Sequence, residues 1–191
     1  QSIKCIPKKS KIIVLIGLGL LGQVTSRLLN ALGYQCIVYD LDLKKVKLAE
    51  KYGSIGVKNN NIIETVLYHT KGKGSDCTII AAASSSSEII NEATTYTKRK
   101  GKIISSGVIG LNLIRDKFFK KQIELVVSNS SGDKNHKGKD SSYENISHFF
   151  ELLSSKKVGV LDLISEEISI SNPSKIYSFP EKSVYFSKLI K

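Results

Sequence analysis

The sequence of 191 residues lacks several features that would place it in a well-defined class of protein. It has three cysteines, Cys5, Cys36 and Cys77, which are scattered and do not stand at C-x-x-C spacing or near a histidine. This argues against a zinc cluster and against a disulfide framework. No apolar run approaches the roughly 18 residues that cross a bilayer, and the amino terminus lacks the pattern of a secretion signal. We therefore expect a cytoplasmic protein with no membrane partner.

Side chains arranged for catalysis are also scarce. The histidines His69, His136 and His148 have no accompanying pattern of carboxylates or thiols that would mark a general base or a metal ligand. The serine run 84–87 has no histidine nearby in the sequence and is more typical of a helix N-cap cluster. We therefore assign no catalytic residue and no metal ligand within this chain.

The chain is strongly basic, with a formal net charge of +12. Clustered lysines would neutralise nucleic-acid phosphates and release their counterions. Here the lysines are spread over the whole chain alongside abundant isoleucine, asparagine and serine, and no basic stripe interleaved with aromatic residues is present. We expect no nucleic-acid partner. A basic nucleic-acid-binding domain stays as an alternative, ranked third after the two interpretations given below. Salt-dependent binding to any duplex would reveal it.

Short apolar runs rich in β-branched residues alternate with segments of helical periodicity along the chain. Strands are predicted at residues 11–16, 35–39, 54–57, 77–83, 102–108 and 123–127. Helices are predicted at 21–32, 43–52, 62–69 and 85–100, the last opened by a capping box of Ser85 and Glu88 and ended by Gly101. This alternation implies parallel pairing, because each crossover returns to the same edge. We therefore predict an α/β fold with a doubly wound parallel sheet of about six strands.

The rhythm of strands and helices also sets the expected domain organisation. Residues 1–10 carry Lys4, Lys8 and Lys9 around Pro7 and are interpreted as a linker. Residues 11–128 form the predicted domain. Beyond Ser128 the pattern fails, with a polar stretch at 130–142, a helix at 143–154 and an extended segment at 158–170. Residues 129–191 are therefore expected to form a C-terminal appendage.

A G-x-G-x-x-G motif joins the first predicted strand to the first helix, as Gly17, Gly19 and Gly22 with Leu20 and Leu21 in between. In such a turn the first glycine permits a tight bend, the second lets the backbone approach a pyrophosphate, and the third lets helix and strand pack closely. The amides and positive dipole end of the helix then bind phosphate without a basic side chain. The motif in this context predicts a dinucleotide-binding Rossmann fold.

Asp40 completes the motif because it ends the second predicted strand, near the expected spacing of about 20 residues. A carboxylate there accepts hydrogen bonds from both adenosine-ribose hydroxyls and repels a 2′-phosphate. NAD is therefore predicted rather than NADP, although Lys44 and Lys45 stand nearby. Because open α/β sheets bind ligands at the carboxyl ends of their strands, Ala82 and Ala83 are further candidates, together with the turn at Gly107.

Taken together, these segments resemble the cofactor domain of the medium-chain, alcohol-dehydrogenase-like family, often described as zinc-binding dehydrogenases. The resemblance covers residues 11–130 and extends more weakly to 163. The stretches that carry it are 14–23, Asp40 with Lys45, 47–53, 72–76, 100–104 and Gly107 with Val108. The resemblance implies that Lys45 also contacts the adenosine ribose, and that the backbone at Gly107 and Val108 lies beside the nicotinamide.

The resemblance also implies an activity, namely hydride transfer between nicotinamide C4 and an alcohol or carbonyl substrate. In the family, a substrate domain with zinc ligands and a proton relay precedes the cofactor domain. It is not in this sequence, so we expect a fragment that is inactive alone, with zinc confined to the missing domain and an appendage that returns toward it. Relatives commonly dimerise through the edge strands of their cofactor domains, which suggests a homodimer through residues 123–127.

The alternative interpretation is a regulatory module that senses NAD or adenine nucleotides without chemistry, like those attached to potassium transporters. Such modules use the same glycine turn and acidic residue, but they tend to lack a turn like Gly107-Val108 followed by a sixth strand.

Overall fold

The computed structural model describes residues 1–57, 61–128, 141–168 and 188–190. Its strands are β1 (Ile12–Ile16), β2 (Gln35–Tyr39), β3 (Ile55–Gly56), β4 (Ser75–Ile80), β5 (Thr97–Ser105), β6 (Glu124–Val127), β7 (Glu166–Ile168) and β8 (Lys188–Ile190). Its helices are α1 (Leu20–Ala31), α2 (Leu43–Glu50), α3 (Ile62–His69), α4 (Glu88–Tyr96), α5 (Arg115–Lys121) and α6 (Ser141–Ser154). Within these ranges, no helix combines the length and the hydrophobicity that crossing a membrane requires.

Six strands form one parallel sheet in the order β3-β2-β1-β4-β5-β6. This confirms the predicted doubly wound α/β fold. The chain winds outward from β1 in one direction as far as β3 and then crosses back to build β4 to β6 on the other side. The strand order therefore reverses between β1 and β4, and in such sheets a crevice opens there at the carboxyl ends of the strands.

The strands are apolar on both faces because helices cover both sides of the sheet. In β1, Val14 and Leu15 are both fully buried and point to opposite faces. One apolar layer packs under α1 and α2, and the other, which includes Val14 and Tyr96, packs under α3 and α4. Cys36 and Cys77 lie in the first layer as free thiols, and burial raises the pKa of each to about 12. Their role is therefore that of small apolar core residues.

The described part of the C-terminal appendage is tied to α1 by one buried cation. Arg27, whose side chain is 1% exposed, makes a bidentate ion pair with Asp162 and donates to the Gly159 carbonyl at 2.6 Å. Its guanidinium also lies over the Tyr52 ring, 3.7 Å from the centroid. The hydrogen bonds from Arg27 hold the pKa of Asp162 below its usual value. The segment after α6 is thus fixed against the domain by a charge that would be costly to leave unpaired.

Two local predictions need correction, and one helix was not predicted. Residues 1–10 are more than a linker, because Ser2–Cys5 form a 3-10 helix and Ile6 is buried in the core. The predicted capping box at α4 is wrong: the Glu88 N–H donates to Ser86 Oγ, and the N-cap residue is Ser87. The sequence pattern also missed α5, which has no buried residue and therefore no apolar periodicity to reveal it.

The boundary between α4 and β5 also differs from the prediction. The helix ends at Tyr96 rather than at Gly101, which lies inside β5. A Cβ at Gly101 would come within 2.7 Å of the Thr97 side chain and 2.8 Å of the Lys98 carbonyl oxygen. This glycine therefore serves close packing within an irregular strand and does not stop a helix.

Candidate functional site

The three glycines of the turn between β1 and α1 stand in different surroundings. Gly17 has a φ of +88°, and a Cβ there would lie 2.6 Å from the Ala82 backbone nitrogen. At Gly22 a Cβ would lie 1.9 Å from the Gly17 carbonyl oxygen. At Gly19 a Cβ would meet nothing within 4 Å. Gly17 and Gly22 are thus needed for the fold itself, whereas a Cβ at Gly19 would face open space. The role of Gly19 toward a pyrophosphate stays a prediction.

The amino terminus of α1 opens at this turn. Its N-cap residue is Gly19, and no side chain caps the helix. The first amides of a helix, here those of Leu20, Leu21 and Gly22, have no acceptor within the helix. Together with the positive end of the helix dipole they form a position that favours an anion.

Asp40, at the end of β2, holds the glycine turn in place. Its Oδ2 accepts a hydrogen bond from the Leu18 N–H at 2.6 Å, and its Oδ1 accepts one from the Asp42 N–H at 2.8 Å. A carboxylate offers about four acceptor positions, so each oxygen can still accept a hydrogen bond from a ligand hydroxyl. Nearby, the Gln23 side-chain amide donates to the Lys45 carbonyl at 2.8 Å and links α1 to α2.

A cleft of about 620 Å³ runs past the turn at the carboxyl ends of β1, β2 and β4. Its volume falls in the usual range for small-molecule sites, about 300–1,000 Å³. It brings together six of the residues predicted for the site, Gly17, Gly19, Asp40, Lys45, Ala82 and Ala83. The sequence motif and the topological reversal thus converge on one concave surface.

The turn at Gly107 lies beside this cleft and not in its lining. A Cβ at Gly107 would lie 1.9 Å from the Ala82 carbonyl oxygen, and the Val108 carbonyl accepts a hydrogen bond from the Ser84 N–H at 2.9 Å. The Val108 side chain is 83% exposed. The ends of β4 and β5 are therefore bound together, and the turn continues the edge of the cleft beyond Ser84.

One wall of the cleft was not predicted from the sequence. It is formed by α4, through Glu88, Ile89, Glu92 and Tyr96, with Ile62 at the start of α3 beside them. Glu88, Glu92 and Tyr96 are spaced four residues apart and therefore share a helix face. That spacing is the signal available in the sequence, but charged residues at this interval are equally typical of a solvated face.

The charges that line the cleft oppose the charge of the whole chain. Three carboxylates, those of Asp40, Glu88 and Glu92, line it with the single ammonium group of Lys45. Burial, followed by the charges of Glu92 and Asp40, raises the pKa of Tyr39, so both carboxylates act on this phenol. Within the described ranges, no group of histidine, cysteine and acidic residues is arranged to hold a metal ion.

The sheet order, the glycine turn and the cleft at the reversal define a Rossmann-like α/β fold. No protein-family model matches the sequence, and no curated protein sequence matches it. Solved structures with a similar fold include alcohol and sugar dehydrogenases and a quinone oxidoreductase. An alcohol dehydrogenase from Thermus sp. ATN1 has a TM-score of 0.76 at 14% identity, over 99% of this chain and 55% of its own.

Two further solved structures give the same result. A 2R,3R-butanediol dehydrogenase from Bacillus subtilis has a TM-score of 0.79 at 14% identity, over 100% of this chain and 53% of its own. A short chain alcohol dehydrogenase from Escherichia coli, complexed with the cofactor NADH, has a TM-score of 0.74 at 16% identity, over 97% and 53%. The likeness establishes the fold, and this chain spans about half the length of the dehydrogenases that share it.

Proposed function

We propose that this chain is the NAD(H)-binding part of an alcohol-dehydrogenase-like oxidoreductase, which transfers hydride between nicotinamide and an alcohol or carbonyl substrate. The observation that carries the proposal is the contrast within the glycine turn. Gly17 and Gly22 are filled in by backbone, whereas Gly19 faces open space at an uncapped helix terminus. A diphosphate needs that space and those amides. The structural neighbours named above are dehydrogenases, and one of them is complexed with NADH, which supports the proposal.

In this proposal, different residues of the chain contact different parts of the cofactor. The free amides of Leu20, Leu21 and Gly22 hold the diphosphate, which lies against the turn at Gly17 and Gly19, and Asp40 and Lys45 hold the adenosine ribose. Ala82 and Ala83 line the middle of the cleft, and the backbone at Gly107 and Val108 lies toward the nicotinamide. The nicotinamide supplies or accepts the hydride, while the protein orients it and excludes competing groups.

The charge of the cleft favours NAD over NADP. A 2′-phosphate on the adenosine ribose would meet Asp40 with only Lys45 to offset the repulsion. The substrate, any zinc ion and the proton transfer belong in this proposal to a separate substrate domain. The cytoplasmic location stays a prediction from the sequence.

A homodimer is part of the same proposal. Among the described residues, strand β6 is an edge of the sheet, so one side of its backbone has no neighbouring strand there. Phe119 in α5 and Val127 at the end of β6 are 64% and 65% exposed, which leaves apolar surface near the open edge. A second copy joined at β6 would cover both.

Titration calorimetry of NAD binding to the wild type and to the Gly19→Ala variant tests the proposal. The new methyl group meets no protein atom but occupies the space proposed for the diphosphate, so we expect NAD to bind at least about tenfold more weakly. The melting temperature of the free variant should stay within about 4 °C of the wild type, because alanine at a helix N-cap costs about 1 kcal/mol. We expect NADP to bind the wild type at least about tenfold more weakly than NAD.

Gly159→Ala is the matched control, because its Cβ would meet only the Tyr52 ring at 3.9 Å, away from the cleft. It should leave NAD affinity unchanged. Absence of NAD binding by the wild type at millimolar concentration would refute the proposal, as would a Gly19→Ala variant with full affinity. Tighter binding of NADP would overturn the choice of cofactor.

A further inference from the structure

The edge of the sheet opposite the cleft gathers basic side chains that are spread out in the sequence. Because the sheet is parallel, the segments at the starts of β1, β4 and β5 lie at one edge. These segments are residues 8–11, 71–74 and 98–102, and together they are called the amino-end surface. Its basic residues are Lys8, Lys9, Lys11, Lys71, Lys73, Lys98, Arg99, Lys100 and Lys102.

Contacts around Asp76 bring the three segments together. Asp76 accepts hydrogen bonds from the N–H groups of Lys11 and Ile12 at 2.7 and 2.9 Å, and it pairs with Lys98. A Cβ at Gly74 would lie 2.9 Å from the Lys98 backbone nitrogen, so the turn before β4 packs directly against the start of β5. The segments therefore form one continuous surface.

Two of these segments present lysines from unusual backbone conformations. Residues 98–101 of β5 bulge out of the ladder, because Asp76 of β4 is the one residue that stands opposite them. Arg99 and Lys100 in this bulge are exposed, as is Lys71 in the turn before β4. Lys71 and Lys100 have a left-handed backbone, with φ of +53° and +56°. Glycine takes up this conformation at lower cost, so the stability of the turns does not account for lysine at either position.

Most of the positive charge on this surface is not neutralised by the protein. Two carboxylates beside it are already paired, Asp76 with Lys98 and Glu124 with Lys102 at 3.1 Å. The other basic side chains are exposed and make no ion pair within the described part of the chain: Lys8, Lys9, Lys11, Lys71, Lys73, Arg99 and Lys100. The amino-end surface is thus strongly positive, whereas the cleft is lined mostly by carboxylates.

We propose that the amino-end surface binds the phosphate backbone of a double-stranded nucleic acid, independently of base sequence. Neighbouring strands lie about 4.8 Å apart, so the starts of β1, β4 and β5 span about 10 Å, a length over which a duplex carries about six phosphate charges. The three segments contain no aromatic residue on which an unpaired base could stack, which favours a duplex over a single strand. They also contain no large apolar residue to insert into a bilayer, which favours a nucleic acid over a membrane.

The expectation of no nucleic-acid partner came from the spread of lysines along the sequence, and the parallel sheet removes its basis by gathering them at one edge. The surface is also separate from the proposed cofactor site. Strand β1 has five residues, which places its two ends about 15 Å apart. A duplex at the amino ends and a dinucleotide at the carboxyl ends should therefore bind without competing.

Fluorescence anisotropy with labelled duplexes of about 20 base pairs, one of DNA and one of RNA, tests the proposal. We expect a micromolar Kd at about 50 mM salt for at least one of them. Affinity should fall about a hundredfold at about 200 mM salt, as release of the counterions of about four phosphates requires. The duplex that binds more tightly identifies the source of the backbone. A single strand of the same length should bind more weakly, and saturating NAD should leave the duplex affinity unchanged.

Lys71→Gly combined with Lys100→Gly removes two charges from the surface. The variant should bind at least about tenfold more weakly at low salt, and its salt slope should be smaller by up to about 2. Because glycine accepts the left-handed backbone, its melting temperature should stay within about 4 °C of the wild type. Lys44→Ala combined with Lys117→Ala is the matched control, since it removes the same charge from exposed positions in α2 and α5, and it should weaken binding less than about threefold.

Several results would overturn this inference. One is the absence of binding to either duplex at about 100 μM protein and low salt. Another is an equal loss of affinity in the two double variants, which would mean that overall charge, and not this surface, attracts the duplex. Displacement of the duplex by NAD would place it in the cleft, and tighter binding of the single strand would contradict backbone recognition of a duplex. Binding to vesicles of anionic lipid with none to the duplexes would identify a membrane as the partner instead.

Discussion

The helices that flank the two halves of the sheet end in different ways. In the half from β1 to α3, each helix is followed by a left-handed glycine, Gly33, Gly53 or Gly72, with φ of +85°, +91° and +76°. In the half from β4 to β6, α4 ends with no such residue, and α5 ends at Gln122 with a φ of +54°. The unpaired carbonyls at a helix end need partners in both halves. The first half meets this need with the left-handed glycine that follows each helix, whereas α4 in the second half relies on a group from elsewhere in the fold.

In the second half, a side chain from another helix completes the end of α4. The Lys121 ammonium group donates to the carbonyls of Thr94, Thr95 and Thr97 at 2.7 to 2.9 Å. A cation there also interacts favourably with the negative end of the helix dipole. Folding of the second half therefore depends on a tertiary contact where the first half depends on glycine, and the contrast suggests three experiments.

The largest loss of stability is expected at Gly22 in the first half and at Gly107 in the second. At each position the backbone lies too close to a carbonyl oxygen to leave room for a side chain. Gly22→Ala would place a Cβ 1.9 Å from the Gly17 carbonyl oxygen, and Gly107→Ala would place one 1.9 Å from the Ala82 carbonyl oxygen. Neither backbone can move without disturbing the sheet, so we expect each change to lower the free energy of unfolding by about 3 kcal/mol or more. Urea denaturation followed by circular dichroism measures this.

Gly19→Ala is the control for both substitutions, because it adds the same methyl group where nothing lies within 4 Å. Its effect on the free energy of unfolding should stay within about 1 kcal/mol, which is the cost of placing alanine at a helix N-cap. A large loss at Gly22 with none at Gly107 would mean that the second half adjusts its strand ends more easily than the first. In that case the halves would differ in rigidity as well as in the ends of their helices.

An intermediate effect is expected at Asp76, which joins the halves. From β4 it accepts hydrogen bonds from the backbone N–H groups of Lys11 and Ile12 at 2.7 and 2.9 Å, and it pairs with Lys98 of β5. Burial acts to raise the pKa of Asp76, but the hydrogen bonds from Ile12, Lys98 and Lys11 together outweigh it and hold the pKa below the usual value of 3.8. The ionised form thus stabilises the folded state.

Asp76→Asn should therefore lower the free energy of unfolding by about 1–2 kcal/mol at pH 7. Because the folded-state pKa is depressed, this contribution is present above the unfolded-state pKa and is lost as the pH falls through the folded-state value. The difference between wild type and variant should shrink as urea denaturation is repeated from pH 7 down to about pH 3. A difference that is constant over that range would show that the charge of Asp76 does not contribute.

The same contrast explains how much could be predicted from the sequence. In the first half a glycine follows each helix locally, so the helices and strands were predicted to within two residues or so, and so was the glycine turn with Asp40. In the second half, nothing near Tyr96 indicates that α4 ends there, because the capping group of Lys121 comes from α5. The α4 wall with Glu92 and Tyr96 was missed for the same reason: packing places it on the same cleft as Asp40, and no local motif records that arrangement.

The smallest changes in stability are expected when glycine is removed from the end of one helix and introduced at the end of another. Gly33→Ala should lower the free energy of unfolding by about 1 kcal/mol, because its Cβ has free space and the cost is the left-handed backbone alone. Gln122→Gly should raise that free energy by about 0.5 kcal/mol, since glycine relieves the left-handed strain but adds freedom to the unfolded chain and removes a 3.2 Å hydrogen bond from Arg99. Urea denaturation of both variants beside the wild type measures the pair. If Gln122→Gly destabilises the protein, the end of α5 depends on the Gln122 side chain, and the second half relies on tertiary contacts at both of its helices.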